Sequence, residues 1–317
     1  MKFSLILLIL SSLSVISQLE FTNNYEDIKL IDSSFTLMNK TILHEGAYIG
    51  DNSKEKRLII FVQGSGRSPL FVKVRDSSHF MLPKEILDTN NNYILLSKTG
   101  IPLVCDLEEL DEHYNFVNKD SVFSSLFLET NYLEYYTSLY SNLVDNIKGR
   151  FNYSQLIIIG HSQGARIAAE FCQTEKVDKV VYMSADPLGR MAGIIDDVYV
   201  NIADREKEKD RLDFYYSIFD KNQQDSLYRE ESFKTWVSYS KPTIVSLSTS
   251  KVPVLIVYGD EDKGCPNCYA FSFLPSYYKN VTVNRYEGYD HNYYEDKVNH
   301  NWQRVMTDIY KWIEESD

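Results

Sequence analysis

Six short apolar runs, each bounded by turn-forming residues, constrain the fold of this chain more than any other feature. They are RLIIFVQG (57–64), NYILLSK (92–98), SQLIIIG (154–160), KVVYMSA (179–185), VPVLIVYG (252–259) and VTVNRYEG (281–288). Continuous apolar runs are typical of parallel strands that are covered on both faces. The sequence therefore predicts a buried, mostly parallel sheet.

Helical patterns separate several of these strands. In 132–149 and again in 302–313, apolar side chains recur at the three- and four-residue spacing of one helix face. Strands that alternate with helices predict a doubly wound α/β domain. The segment from Pro187 to Val252 is longer than one crossover needs, and RLDFYYSIFD and SFKTWVSYS within it have helical length. We therefore expect an inserted helical cap at about 188–251, within a domain that spans 18–317.

The first 17 residues, MKFSLILLILSSLSVIS, predict a cleaved signal peptide. One lysine precedes an apolar run that gives way to serines, and cleavage after Ser17 would put small residues at the recognition positions. The run is short for a membrane span, and no later segment has 18 uncharged apolar residues. We expect an exported protein, secreted or periplasmic, with no stable membrane insertion.

Charge and cysteine content exclude further classes of function. The net charge of -12 argues against a nucleic-acid partner, because such binding needs basic patches. A zinc site at Cys265 and Cys268 would need a second ligand pair of similar spacing, which the sequence lacks. We expect no metal, and the CPNC motif is either a local disulfide or two ordinary thiols.

The motif GHSQG joins the strand 154–160 to a helix-forming segment. A tight turn from strand to helix strains the backbone of its central residue, here Ser162, and needs glycine where a Cβ would clash. The turn also exposes the serine hydroxyl at the carboxyl edge of the sheet, where open α/β sheets bind ligands. Ser162 is therefore the candidate nucleophile.

A serine nucleophile requires a base, and the base requires an orienting acid. Of the six histidines, His291 follows a strand near the end of the chain, whereas His161 inside the turn is interpreted as structural. The loop after the strand 252–259 offers Asp260, Glu261 and Asp262 as acids, and the residues alone leave that choice open.

As a set, QGSG, GHSQG, GDEDKGCP and GYDH, each after a strand, resemble the α/β-hydrolase superfamily over nearly the whole mature chain. The resemblance implies Asp262 as the acid, with Asp186 as the alternative because some lipase-like members take their acid from the earlier strand. It also implies an oxyanion hole formed by the N–H groups of Gln163 and Ser65. In that superfamily the loop that carries the second of these N–H groups commonly begins with His-Gly, whereas here Gln63 stands in place of the histidine.

The resemblance implies hydrolysis of an acyl bond without a metal or organic cofactor, and a carboxylic ester is the expected substrate. A peptidase or thioesterase, acting on peptidyl or thioester substrates, is the alternative, as is an exported binding protein with an idle triad. Aromatic residues of the cap interval either shape an apolar acyl pocket or form the cap's own core. They are Tyr215, Tyr216, Phe219, Phe233, Trp236 and Tyr239.

Overall fold

The structure, a computed structural model, describes residues 19–22, 28–117, 122–192, 213–228, 230–296 and 298–316. The predicted signal peptide and residues 193–212 of the cap interval lie outside these ranges. In the described part of the chain, no helix combines the length and the apolar character that crossing a bilayer requires.

A central sheet of nine strands organises the molecule, in the order β1-β2-β3-β7-β4-β9-β10-β13-β14. The strands β1 to β3 and the pairing of β3 with β7 are antiparallel, and the six strands from β7 to β14 are parallel. The strands of this sheet are β1 (Leu19–Thr22), β2 (Ser33–Asn39), β3 (Ile42–Ile49), β4 (Lys56–Val62), β7 (Asn91–Leu96), β9 (Tyr153–His161), β10 (Lys179–Met183), β13 (Val254–Gly259) and β14 (Val281–Tyr286).

Helices cover both faces of the sheet. They are α1 (Val122–Thr130), α2 (Leu133–Ile147), α3 (Gln163–Ala169), α4 (Phe233–Ser238), α5 (Ile244–Ser248) and α6 (Trp302–Glu315). Ile158 of β9 faces the core that contains α2 and α3, whereas its neighbours Ile157 and Ile159 face the core that contains α6. Because successive side chains of a strand point to opposite faces, a strand between two such layers must be apolar throughout.

The remaining strands form two small sheets. One has the order β6-β5-β8, and the other pairs β11 with β12 in antiparallel fashion within the cap interval. Their bounds are β5 (Phe71–Val74), β6 (Ser77–Phe80), β8 (Val104–Asp106), β11 (Leu227–Tyr228) and β12 (Glu231–Ser232).

The predicted mostly parallel α/β sheet is confirmed, since all six predicted strands are present as its parallel part. The antiparallel strands β1 to β3 were not predicted, because segments such as SSFTLMN lack a continuous apolar run. The described part of the cap interval has helical residues at 213–218 and in α4, as expected, and also the unexpected strand pair β11–β12.

Candidate active site

Ser162 lies at the turn between β9 and α3 and has a strained backbone. Its φ is 57° and its ψ is -119°, a left-handed conformation that a residue with a side chain rarely adopts. A Cβ on Gly160 would lie 2.2 Å from the main-chain oxygen of Gly164, and a Cβ on Gly164 would lie 2.0 Å from that of Val62. Both glycines of the GHSQG motif are therefore required for the turn to pack against the sheet.

His291 lies in the loop after β14 and contacts Ser162 across 129 residues of sequence. Its Nε2 atom is 2.9 Å from Ser162 Oγ, and its Nδ1 atom is 2.9 Å from each carboxylate oxygen of Asp262. The Asp262 side chain is fully buried and also accepts a hydrogen bond of 2.7 Å from the N–H of Gly264. The fold thus brings a hydroxyl, an imidazole and a carboxylate into one hydrogen-bonded line.

Asp260 and Asp186, two of the other three candidate acids, are engaged elsewhere. Asp260 pairs with the guanidinium of Arg285 at 2.7 Å and accepts the N–H of Gly288, and these contacts lower the pKa of its carboxyl group although partial burial opposes them. Asp186 is buried and accepts hydrogen bonds from Leu188 N and from both nitrogens of Asn267. The hydrogen bonds of Asp260 and Asp186 hold neighbouring loops in place, whereas the carboxylate of Asp262 contacts His291.

The loop after β4 borders Ser162. A Cβ on Gly64 would lie 3.3 Å from the Cβ of Ser162, which brings the exposed Ser65 close to the hydroxyl. Gln163 is the first residue of α3, and the first N–H groups of a helix have no acceptor within the helix. The N–H of Gln163 therefore has no acceptor within its own helix. A cavity of about 270 Å³ opens here and is lined by Gln63, Gly64, Ser65, Gly66, Ser162 and His291, among others.

The ring of His161 is hydrogen-bonded to the main chain of His291. Its Nε2 atom is 2.9 Å from the main-chain oxygen of His291, and its ring packs 5.3 Å from that of Trp302. Burial lowers the pKa of His161 to about 3, so the ring is neutral and its Nε2–H donates to the carbonyl. This contact joins the turn to the loop that carries His291.

A set of polar side chains, all buried except the partly exposed Arg190, lies around Gln163, and we call it the buried polar cluster. Lys98 Nζ donates to Gln163 Oε1, Arg190 pairs with Glu231, and Asn131 donates to Glu231 at 3.3 Å. The cluster consists of Lys98, Asn131, Gln163, Arg190, Glu231 and Tyr239. Sequence reasoning missed it, since Lys98 ends an apolar run and Arg190 and Glu231 come from the cap interval.

None of the six cap aromatic residues lines the cavity beside Ser162. Phe233 and Trp236 are buried in a small core of the cap interval, and Tyr239 is buried in the main core. Tyr215 and Phe219 line a separate cavity of about 610 Å³, whose lining does not include Ser162 or His291.

The cysteines in the structure divide into one bonded pair and two single residues. Cys265 and Cys268 form a disulfide, and the buried Cys105 and Cys172 carry none. Within the described ranges, no group of three or more His, Cys, Asp or Glu side chains is arranged to hold a metal ion.

The sequence was compared with models of known protein families. Residues 129–250 match the family model described as the alpha/beta hydrolase fold. A comparison with curated proteins found no match for the sequence.

Several solved structures are similar. Est1E from Butyrivibrio proteoclasticus is 14% identical with a TM-score of 0.54, over 89% of this chain and 98% of that chain. Acetyl xylan esterase 1 from a Thermoanaerobacterium species is 15% identical with a TM-score of 0.52, over 93% of this chain and 88% of that chain. Acylaminoacyl peptidase from Pyrococcus horikoshii is 10% identical with a TM-score of 0.55, over 94% of this chain but only 41% of that chain. At these identities the likeness concerns the fold.

Proposed function

This chain has the α/β-hydrolase fold, and we propose that it is a serine hydrolase that cleaves a carboxylic ester through an acyl-enzyme intermediate. The observation that carries the proposal is the line of contacts from Ser162 Oγ through the His291 ring to the Asp262 carboxylate, each 2.9 Å long. The N-terminal sequence supports the further proposal that the enzyme is exported, secreted or periplasmic.

The tautomer of His291 follows from its neighbours. The Asp262 carboxylate accepts hydrogen bonds only, so Nδ1 carries the proton and Nε2 is free to accept the proton of Ser162. Ser162 Oγ then attacks the ester carbonyl carbon while its proton passes to His291 Nε2. The charge of the resulting imidazolium is stabilised by Asp262.

The main-chain N–H groups of Gln163 and Ser65 are proposed to bind the oxyanion of the tetrahedral intermediate. His291 next gives its proton to the departing alcohol, which leaves Ser162 acylated. A water molecule, deprotonated by the same imidazole, attacks the acyl carbon, and the proton returns to Ser162. None of these steps requires a metal or organic cofactor.

The alternative enzymatic functions differ in the acyl bond that is cleaved: an ester, a thioester or an amide. The same three residues serve esterases, thioesterases and peptidases, because the triad does not determine the leaving group. An exported binding protein that has kept an idle triad is the alternative from another class. We assign the ester because its alcohol leaves more readily than an amine does, and the small cavity beside Ser162 suits a small-molecule substrate.

The test compares wild-type protein with Ser162→Ala on 4-nitrophenyl acetate, an aminoacyl 4-nitroanilide and an acyl thioester. We expect the ester to be cleaved fastest, and the alanine variant to lose a factor on the order of 10⁶ in kcat. Circular dichroism of both proteins checks that the fold is unchanged. Preferred cleavage of the anilide or the thioester would change the substrate class, and equal activity of the two proteins would overturn the proposal.

A further inference from the structure

The buried polar cluster contains more positive than negative charge. Lys98 and Arg190 are cations, and Glu231 is the one carboxylate of the cluster, with its oxygens already bound by Arg190 and Asn131. Lys98 donates to the amide oxygen of Gln163, which is not a counter-charge. Because transferring an uncompensated charge out of water is costly, an excess cation at this depth calls for a functional explanation.

The hydrogen bonds of the cluster show the same imbalance. Among the residues that the structure describes, three donor groups of the cluster have no hydrogen-bond partner: Gln163 Nε2, Arg190 Nη1 and the hydroxyl of Tyr239. Gln163 and Tyr239 are both more than nine-tenths buried. Against these donors the cluster has one unpaired acceptor, Asn131 Oδ1. An unsatisfied buried donor costs about 1–3 kcal/mol, so the cluster is suited to a group that supplies acceptor oxygens and negative charge.

The position of the cluster connects it to the proposed catalytic site. Gln163 follows Ser162 directly, and its side chain is the one that Lys98 contacts. Lys98 lies just beyond the carboxyl end of β7, the edge of the sheet at which Ser162 also lies. Arg190 and Glu231 come from the cap interval, where they pair with each other, and the Arg190 guanidinium lies 3.8 Å from the ring centroid of Trp236.

We propose that the buried polar cluster binds a carboxylate carried by the substrate, with Lys98 and Arg190 as its cationic ligands. The substrate class is therefore an ester whose acyl part bears a carboxylate, such as the half-ester of a dicarboxylic acid. This inference rests on the proposed esterase activity for its kinetic test and is independent of that activity for its binding test. Burial lowers the pKa of Lys98 to about 7, against the opposing influence of Glu231, so the ammonium lacks full compensation without such an anion.

The kinetic test compares two chromogenic esters at pH 6: mono(4-nitrophenyl) succinate, which has a free carboxylate, and 4-nitrophenyl methyl succinate, in which a methyl group masks that charge. A charge-assisted hydrogen bond predicts a ratio of kcat/KM, half-ester over diester, of about ten or more. Lys98→Met keeps the apolar length of the side chain and should bring the ratio close to one. Lys241→Met, which removes an exposed lysine that pairs with Glu170, is the matched control and should leave the ratio unchanged.

A second variant separates loss of charge from damage to the fold. Glu231→Gln removes the carboxylate that competes for Arg190, so the ratio should rise, whereas Lys98→Met lowers it. General damage to the cluster would lower the ratio in both variants and would contradict the proposal.

The binding test uses monomethyl succinate and calorimetry on Ser162→Ala protein, in which the proposed nucleophile is absent. We expect saturable binding that weakens about tenfold or more when Lys98→Met is added. If wild-type protein cleaves no ester but this binding occurs, the proposed function fails and the carboxylate site stands. Esterase activity with equal rates on both succinates and no binding of monomethyl succinate would overturn the site alone.

Discussion

The imidazole of His161 donates from Nε2 to the main-chain oxygen of His291, over 2.9 Å. His161 precedes Ser162 in the turn, so this bond ties the main chain of the proposed base to the residue next to the proposed nucleophile. The ring packs against Trp302 at the start of α6, which limits its movement. The distance between Ser162 and His291 therefore depends on the hydrogen bond of His161 as well as on the direct contact between the two residues.

We predict that His161→Phe lowers kcat by about tenfold or more, because it removes the donor and leaves a buried carbonyl unpaired. His161→Gln retains an N–H donor near the position of Nε2 and should recover most of the loss. Equal kcat values for the Phe and Gln variants would show that the hydrogen bond does not position His291.

The three aspartates that compete for the role of acid should give three different results. Asp262→Asn removes the charge that stabilises the imidazolium and favours the wrong tautomer, so kcat should fall by a factor on the order of 10⁴. Asp260→Asn weakens a partly exposed pair with Arg285 and should leave kcat nearly unchanged.

Asp186→Asn should act on stability instead of catalysis. It weakens a buried acceptor of three N–H groups, and the free energy of unfolding should fall by about 1–3 kcal/mol. Steady-state kinetics and urea unfolding on the three variants provide the comparison. A larger loss of kcat in Asp186→Asn than in Asp262→Asn would show that the acid is Asp186, after β10, and not Asp262, after β13.

Much of this arrangement could be predicted from the sequence, for identifiable physical reasons. A strand buried on both faces must be apolar throughout, so the parallel strands stand out as continuous runs. The turn around Ser162 needs glycine at positions 160 and 164 because main-chain oxygens lie within 2.2 Å of where a Cβ would be. His291 and the aspartates follow strand ends, which the same runs mark.

Other features depend on contacts that no local pattern records. Strand β3 is half of an antiparallel hairpin with exposed and buried side chains, and ILHEGAYI contains no apolar run. Asp262 contacts His291, whereas Asp260 binds Arg285 and Gly288, which are about 25 residues further along the chain. Arg190 and Glu231 influence the charge of Lys98 only because the cap interval folds back onto the sheet.

The preference for a charged substrate should depend on pH. The groups that face Lys98 are Glu231, Arg190, Gln163 and the ring of Tyr136, and burial lowers the pKa of Lys98 to about 7. Lys98 is charged below that pKa and neutral above it. The ratio of kcat/KM for the two succinate esters should therefore be highest near pH 6 and fall as pH rises through 7. The ratio cancels any effect of pH that is common to both esters, and a ratio constant from pH 6 to 9 would contradict the role of Lys98.

Reduction of the Cys265–Cys268 disulfide should affect activity more than stability. The bond closes a loop with a separation of three residues, so its loss changes the entropy of the unfolded chain little. The loop begins beside Asp262, whose main-chain oxygen accepts the N–H of Cys265 at 3.1 Å. We expect reductant to lower kcat modestly without unfolding the protein. A variant with serine at both positions should show the same kcat with and without reductant.

The central claim is that Ser162 is an activated nucleophile, and labelling with a fluorophosphonate tests it most directly. Such a reagent phosphonylates a serine whose proton is removed by a neighbouring base. Mass spectrometry of wild-type protein should reveal one phosphonyl group, on the peptide that contains Ser162. Ser162→Ala should not be labelled, and His291→Ala should be labelled far more slowly. Wild-type protein that stays unlabelled, or that carries the group on another serine, would contradict the assignment.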